Sequence, residues 1–317
     1  MKVTEYISKS DATMVSFEVL PPMKGKSIHS IYDTLDPLME FKPPFINVTY
    51  HRAEYIYKRN AQGLFEKTII RKRPGTVGIC AAIVNRYKVD AVPHIVCGGF
   101  TVEETEDALI DLAFLGIDNV LLIRGDPNKN EASFEAEPGG HRHAIDLLKQ
   151  AVRMNHGNFL QEDITDVVPT NFCIGVAGYP EKHYEAPNMS MDLQYLKEKV
   201  DAGADYIITQ MFFDNNKFFE FVKSCREMGI TVPIIPGIKP ITNRKHMNTL
   251  PRLFHVEIPE TLASELQKAS SDEAAKKIGI DWCIQQCKEL MAHKVPLIHF
   301  YTMSNPGPVK AVVSKVF

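Results

Sequence analysis

Short apolar runs rich in branched residues recur along the chain, each followed by turn residues and then a longer stretch with helical spacing of its apolar positions. Eight such runs stand out, at residues 14–20, 45–49, 92–97, 120–123, 172–178, 206–213, 232–238 and 297–302. They are too short for helices, and their near-continuous apolar character is that of strands buried on both faces, as in parallel sheets. Strand-helix alternation at this count predicts the α/β class and a single closed (β/α)8 barrel of the TIM type over residues 1–317. Between the runs, the pattern at 101–115 opens on Thr101 with Glu104 three residues on, a capping box, and ends before Gly116. The pattern at 191–202 has the same form and stops at Gly203.

Two places break the rhythm. Residues 75–90 insert a small apolar run before the third strand, read as an extra strand or helix outside the count. Residues 128–143 are acidic and glycine-rich, with Glu131, Glu135, Glu137, Gly139 and Gly140. That is longer than an ordinary strand-to-helix loop, and the segment reads as a mobile flap over a site. A basic cluster, Lys67 with Arg71-Lys72-Arg73, precedes Pro74-Gly75 and reads as a solvated helix tail.

Composition narrows the function classes. The 317 residues are 44% hydrophobic and 24% charged, ordinary for a globular protein. A net charge of −3 excludes a general electrostatic nucleic-acid binder. No segment approaches the roughly 20 apolar residues of a membrane span, and the first residues lack the apolar core of a signal peptide, so a cytoplasmic enzyme without membrane or nucleic-acid partners is expected. Six scattered cysteines without a Cys-x-x-Cys read as reduced core thiols. The chain has no Gly-x-Gly-x-x-Gly, which argues against a Rossmann site. Lys24-Gly25-Lys26-Ser27 ends like a Walker A loop, but position 20 is Leu20 where that loop needs glycine. No His-Glu-x-x-His occurs, and His141-Arg142-His143 has no carboxylate at metal spacing, so no metal is expected.

The candidate chemistry sits at strand ends. Residues 119–127 form an apolar run that exits into Arg124, Gly125 and Asp126, and barrels carry their chemistry at the C-terminal ends of strands. The competing reading is an Arg-Asp pair that closes a turn, with Gly125 and Pro127 as breakers. Glu18 lies inside the first apolar strand, before Pro21-Pro22. Burial would raise its pKa and suit it to donate a proton near neutral pH, unless it is an exposed edge residue. The second strand supplies Asn47, Thr49, Tyr50 and His51, and the third His94. The fifth ends in Tyr179, Glu181 and His183, and the sixth carries Gln210. A lone core histidine is usually satisfied by backbone, but five polar strand ends together point to a site.

In order, Ser16-Phe17-Glu18 with Pro21-Pro22, Val48-Thr49-Tyr50, Pro93-His94, Leu122-Ile123-Arg124-Gly125-Asp126, Ala177-Gly178-Tyr179-Pro180-Glu181 with His183, residues 199–205, Thr209-Gln210-Met211-Phe212-Phe213, Ile235-Pro236-Gly237-Ile238 and His299-Phe300-Tyr301-Thr302 resemble the methylenetetrahydrofolate reductase family. The resemblance runs from Val15 to about Met303 and covers the catalytic barrel, without the regulatory domain of eukaryotic members. It implies an FAD-dependent oxidoreductase that reduces 5,10-methylenetetrahydrofolate to 5-methyltetrahydrofolate with NADH or NADPH in two half-reactions, and a homo-oligomer. By the same resemblance Glu18 is the proton donor to N10 of the folate, and Asp126 the carboxylate beside flavin and pterin. Thr49, Tyr50, His94, Arg124, Gly125, Asp126, His143, Tyr179, His183, Ala186, Asp192 and Lys199 are the implied flavin-binding positions, and Glu18, Asp126, Gln210 and His246 the implied substrate-binding ones.

The chain departs from the family's pattern in places. Met303-Ser304-Asn305-Pro306 replaces a Leu-Asn-Arg after the last strand, His246 and Leu250 replace a Gln and a Phe of some bacterial members, and His143 replaces a flap Tyr. Two other readings compete with the reductase: a flavin-free barrel aldolase or lyase using Glu18 and Asp126 as an acid-base pair, and a non-catalytic folate- or flavin-binding protein.

Overall fold

The alternation along the chain closes on itself. The computed structural model describes residues 1–127, 131 and 133–317. In chain order the elements are α1 (Val3–Lys9), β1 (Met14–Val19), α2 (His29–Leu35), β2 (Phe45–Val48), β3 (Glu54–Arg59), β4 (Phe65–Ile70), α3 (Thr76–Tyr87), β5 (Asp90–Val96), α4 (Val102–Phe114), β6 (Asn119–Ile123), α5 (Ala144–Asn155), β7 (Cys173–Gly178), α6 (Met189–Asp201), β8 (Tyr206–Met211), α7 (Asn215–Glu227), β9 (Ile234–Ile238), α8 (His246–Phe254), α9 (Glu260–Lys268), α10 (Asp272–Ala292), β10 (Leu297–Tyr301) and α11 (Pro306–Val316). The barrel runs β1-β10-β9-β8-β7-β6-β5-β2 and closes through β1 with β2, and every pairing in it is parallel. Each of the eight predicted strands is a barrel strand.

Strand parity then decides what each residue faces. On β1, Phe17 and Val19 point out into a layer with Ile46, Leu122 and Phe300, where the helices pack Leu109, Leu112, Leu147 and Phe221 against them. Burying each such side chain contributes about 1.5–3 kcal/mol. The alternate residues point inward. The lower interior is filled by Phe45, Val92, Leu121, Tyr206, Ile235 and Leu297, with Val3 of α1 joining them. Polar residues occupy the layer above, towards the C-terminal ends of the strands.

Two expectations are corrected. The run within 75–90 is no insertion: α3 is the crossover helix between β2 and β5. The insertion is the antiparallel hairpin of β3 and β4, which among the described residues pairs with no other strand. The basic cluster belongs to it, with Lys67 in β4 and Arg71 to Arg73 just beyond its end. Thr68-Ile69-Ile70 favours strand over helix because branched side chains lose χ1 freedom in a helix. Asn60 closes the turn, its side chain accepting from the N–H groups of Gln62 and Leu64 at 3.1 and 3.0 Å.

The capping box at Thr101 is present, with Glu104 N–H donating to Thr101 Oγ1 at 3.2 Å. The helix expected at 191–202 begins earlier, capped by Asn188, whose Oδ1 accepts from Met191 N–H at 2.9 Å. All six cysteines are free and buried. Among the described residues no helix is long and apolar enough to cross a membrane.

Candidate active site

Register in β1 and its two neighbours brings the first polar group together. Glu18 aligns with Asn47 of β2 and Tyr301 of β10, and Ser16 with His299. Its carboxylate Oε2 lies 3.6 Å from His94 Nε2 and 4.0 Å from His299 Nε2. The far nitrogen of His299 meets Ser16 Oγ at 2.8 Å, and Asn47 Nδ2 donates to His94 Nε2 at 3.2 Å. Glu18 is 8% exposed, and burial raises its pKa, against the pull of His94 in the other direction. Burial pushes His94 down to about 4 and His299 to about 3. At neutral pH these contacts therefore join neutral imidazoles to a carboxyl group that resists ionisation, and they are not salt bridges. The acidic strand residue is buried, as the flanking apolar residues suggested.

Five buried side-chain atoms at this end of the barrel have no hydrogen-bond partner among the described residues: Asn47 Oδ1, Thr49 Oγ1 and His299 Nε2 in the polar layer, and Arg52 Nε and Glu181 Oε1 just beyond β2 and β7. Buried polar atoms are normally paired, so orphans grouped at a barrel mouth mark where a polar ligand would be satisfied. Thr49 is fixed beside Glu18 by its backbone N–H, which donates to Val19 O at 3.1 Å.

The second group is built on β6 and β7. Gly125 makes the turn that follows β6 with φ +86°, a conformation that suits glycine. Arg124 bonds Glu185 and lies 4.9 Å from the ring centroid of Phe134 in the flap. Asp126 remains open to solvent, yet the chain around it raises its pKa by desolvation, opposed by the charges of Arg124, His255 and Arg52. Arg124 bonds Glu185, and among the described residues no Arg124–Asp126 pair closes the turn; Asp126 stays at the mouth. Tyr179 packs edge-on against His183, with ring centroids 4.7 Å apart. Burial and Arg124 push His183 down to about 4. Asp192 accepts from His183 N–H at 2.9 Å, and Lys199, brought to about 8 by burial and opposed by Asp192, donates to Ala177 O at 3.0 Å. Ala186 is buried and its carbonyl accepts from Lys182 Nζ at 2.6 Å.

The flap expected at 128–143 is tied down where it is described; residues 128–130 and 132 lie outside the described residues. Arg52 bonds Glu131 and donates to Glu135 O at 3.3 Å, and Tyr55 Oη donates to Glu137 at 3.3 Å. A cavity of about 660 Å³ lies between the flap and Arg124, lined also by Phe134, Arg142 and His143. His143 forms the N-cap of α5.

The remaining expected residues are less assembled. Gln210 Oε1 accepts from its own neighbour, Met211 N–H, at 2.9 Å. His246 opens α8, accepts from Thr242 N–H at 3.2 Å, and is brought to about 4 by burial and by Lys239. Among the described residues no contact joins it to Glu18. Three residues were not singled out in advance: Ser16 and His299, which orient the polar layer, and Lys239, 6% exposed just beyond β9 and brought down to about 8 by burial. Inward parity on β1 and β10 would have found the first two. Tyr301 also crosses the barrel, its Oη donating to Thr209 O at 2.7 Å.

Fold and site together define a (β/α)8 barrel with an acid-bearing polar layer at its C-terminal mouth. The chain belongs to the methylenetetrahydrofolate reductase family, whose profile matches residues 2–316. It is 34% identical over 321 residues to a probable methylenetetrahydrofolate reductase (NADH) of Oryza sativa subsp. japonica, covering 96% of this chain and 48% of that protein. The 5,10-methylenetetrahydrofolate reductase of Escherichia coli is 31% identical over 291 residues, 92% of this chain and 86% of that protein. The chain thus spans about half the length of the plant relative. Among solved structures, an uncharacterized protein from Clostridium thermocellum that binds two copies of 5-methyl-5,6,7,8-tetrahydrofolic acid shares the fold, with a TM-score of 0.60, 13% identity and coverage of 98% and 96%.

Proposed function

We propose that this chain reduces 5,10-methylenetetrahydrofolate to 5-methyltetrahydrofolate with NADH or NADPH as donor, using FAD held at the barrel mouth. The observation that carries the reading is Glu18, an acid whose pKa burial raises, standing beside two neutral histidines at the mouth. When bound, FAD would supply the redox chemistry, accepting hydride from the nicotinamide and passing it to the folate. Orphaned Asn47 Oδ1 and Thr49 Oγ1 fit a polar ring system, and the Arg124 cavity with Arg142 and His143 fits an anionic or ribosyl portion.

In this reading Glu18 keeps its proton because ionisation in the buried layer is costly, and gives it up at N10 of the folate as the carbon–nitrogen bond opens. His94, paired with Asn47, and His299, held by Ser16, stay neutral beside the Glu18 carboxyl and add no charge of their own to the buried layer. Asp126, at the open side of the mouth, supplies negative charge to an electron-poor pterin and orients it. A homo-oligomer in the cytoplasm belongs to the same reading.

The test is the visible spectrum of the purified chain and its response to substrates. Flavin bands that NADH or NADPH bleaches and methylenetetrahydrofolate restores support the proposal. Colourless protein that takes up no FAD favours a flavin-free lyase, and flavin that neither nucleotide bleaches favours a binding protein.

A further inference from the structure

The hairpin of β3 and β4 ends in two open edges, and one of them is self-complementary. Isolated two-stranded hairpins are marginal in water, and an exposed edge strand is a template for another chain. Here Tyr57, Phe65 and Ile69, on the same face by register, are 62%, 74% and 64% exposed. Asn60 N–H donates to Leu64 O at 2.8 Å, and Gly63, at φ +83°, completes a bulged turn. That closing bond sets the ladder, so the bonded pairs are Glu54 with Ile70, Ile56 with Thr68 and Lys58 with Glu66. The backbone groups of Tyr55, Tyr57 and Arg59 consequently point away from β4, and none of them has a backbone partner among the described residues.

We propose that the β3 edge pairs antiparallel with β3 of a second copy of this chain, making a continuous four-stranded sheet across a two-fold axis at Ile56. Two identical strands in antiparallel contact are related by such an axis, the isologous form of a dimer. In this register Ile56 faces Ile56 of the second copy, Tyr55 faces its Tyr57 and Glu54 faces its Lys58, each of the last two contacts made twice. The outward-pointing Tyr55 and Tyr57 fall opposite each other, so the register also satisfies the free backbone groups. Across the sheet the charges alternate as Glu66, Lys58 and then Glu54 of the second copy. Within its own chain Glu54 is bound by Lys72 at 2.5 Å, so the row extends an existing charge pair.

Shifts by two residues lose this match: one sets Ile56 against Glu54 and Lys58 against Arg52, the other sets Ile56 against Lys58. The β4 edge is poorer still: the equivalent register, with its axis at Thr68, sets Lys67 against Ile69 and Glu66 against Ile70 and offers no charge pair. The hairpin root carries Arg52 and Tyr55, which hold Glu135 and Glu137 of the flap, so the same contact would steady the wall of the Arg124 cavity. This contact gives a place and a register to the homo-oligomer proposed above, but it does not rest on the redox chemistry, and either can fail without the other.

The register is tested by charge swaps that fail alone and succeed together. Glu54→Lys sets two lysines against each other across the axis, and Lys58→Glu sets two glutamates against each other. Each variant alone should self-associate at least about tenfold more weakly than the parent chain by sedimentation equilibrium, and an equimolar mixture should recover the parent affinity as a heterodimer. Ile56→Cys should form an intermolecular disulfide under mild oxidant, because facing residues of a non-bonded pair lie about 4.5 Å apart at Cα. The native cysteines are buried and do not compete. A monomeric parent chain, single variants that associate like it, or a mixture that gives no recovery would each overturn the proposal.

Discussion

Glu18 Oε2 and His299 Nε2 face each other at 4.0 Å across paired strands, while Ser16 Oγ holds the other ring nitrogen at 2.8 Å. A neutral imidazole has one proton and one lone pair, so the partner of one nitrogen determines what the other presents. The Ser16 hydroxyl can donate or accept, so its orientation and the His299 tautomer change together, and residues far apart in the chain share one proton layer.

Glu18→Gln keeps the shape and removes the acidic proton. Reduction of the bound flavin by the preferred nicotinamide should stay within about tenfold of the parent, a barrier change near 1.4 kcal/mol or less. The step with methylenetetrahydrofolate should slow by at least about a hundredfold, as expected for loss of a general acid. Stopped-flow measurement of the two half-reactions separates these outcomes; equal slowing of both would make Glu18 a positioning residue.

Asp126→Asn removes a negative charge whose pKa is already raised at the mouth. The flavin potential should rise, since reduction no longer builds charge beside a carboxylate, while the folate step slows. A redox titration that shows no upward shift would place Asp126 away from the ring system.

Arg52→Ala should loosen the flap. Its side chain bonds Glu131, donates to Glu135 O and lies 5.5 Å from the centroid of the Phe134 ring. FAD should bind roughly tenfold more weakly, about 1.4 kcal/mol, read from flavin fluorescence on titration. Unchanged affinity would mean that the cavity beside Arg124 takes no part in holding it.

Gly237→Ala tests the packing over which Tyr301 crosses. An added methyl at Gly237 would come within 2.3 Å of Thr209 O and 2.7 Å of Tyr301 Oη. Backbone cannot yield as a flexible side chain can, so stability should fall by about 1–3 kcal/mol or more in urea unfolding. A change within error would show that β8 and β9 can separate at little cost.

Acid should work against the two buried rings of the polar layer. His94 and His299 stay neutral when folded down to about 4 and about 3, whereas in the unfolded chain histidine takes a proton near 6.5. Between roughly pH 6.5 and pH 4 the unfolded state therefore binds more protons, and stability falls as pH falls. Glu18 acts in the opposite sense, since its raised pKa favours proton uptake by the folded state on acidification. Other histidines with lowered values and carboxyls with raised ones titrate in the same window, so the effect of one ring is read by difference: between roughly pH 6.5 and pH 4 the Tm of His299→Asn should fall less than that of the parent by scanning calorimetry. A variant whose Tm follows pH as the parent's does would mean that the ring opens to solvent before it titrates.

The sequence by itself determined the barrel. Its eight strands were legible because both faces of each are buried, which leaves continuous apolar runs that no surface segment imitates. Glu18 was legible for the same reason, as a charge where the pattern allows none. The hairpin was not, because β3 and β4 are half exposed, and Lys67 among branched residues reads equally as the tail of a helix. Nor could the sequence pair Ser16 with His299 or Asn47 with His94, since those contacts depend on the register of strands brought together by closure, and a shift of one residue would turn each side chain to the other face. The low pKa of the histidines is likewise a tertiary property: it comes from the desolvation that the closed barrel imposes on rings which, along the chain, are only inward positions of two strands.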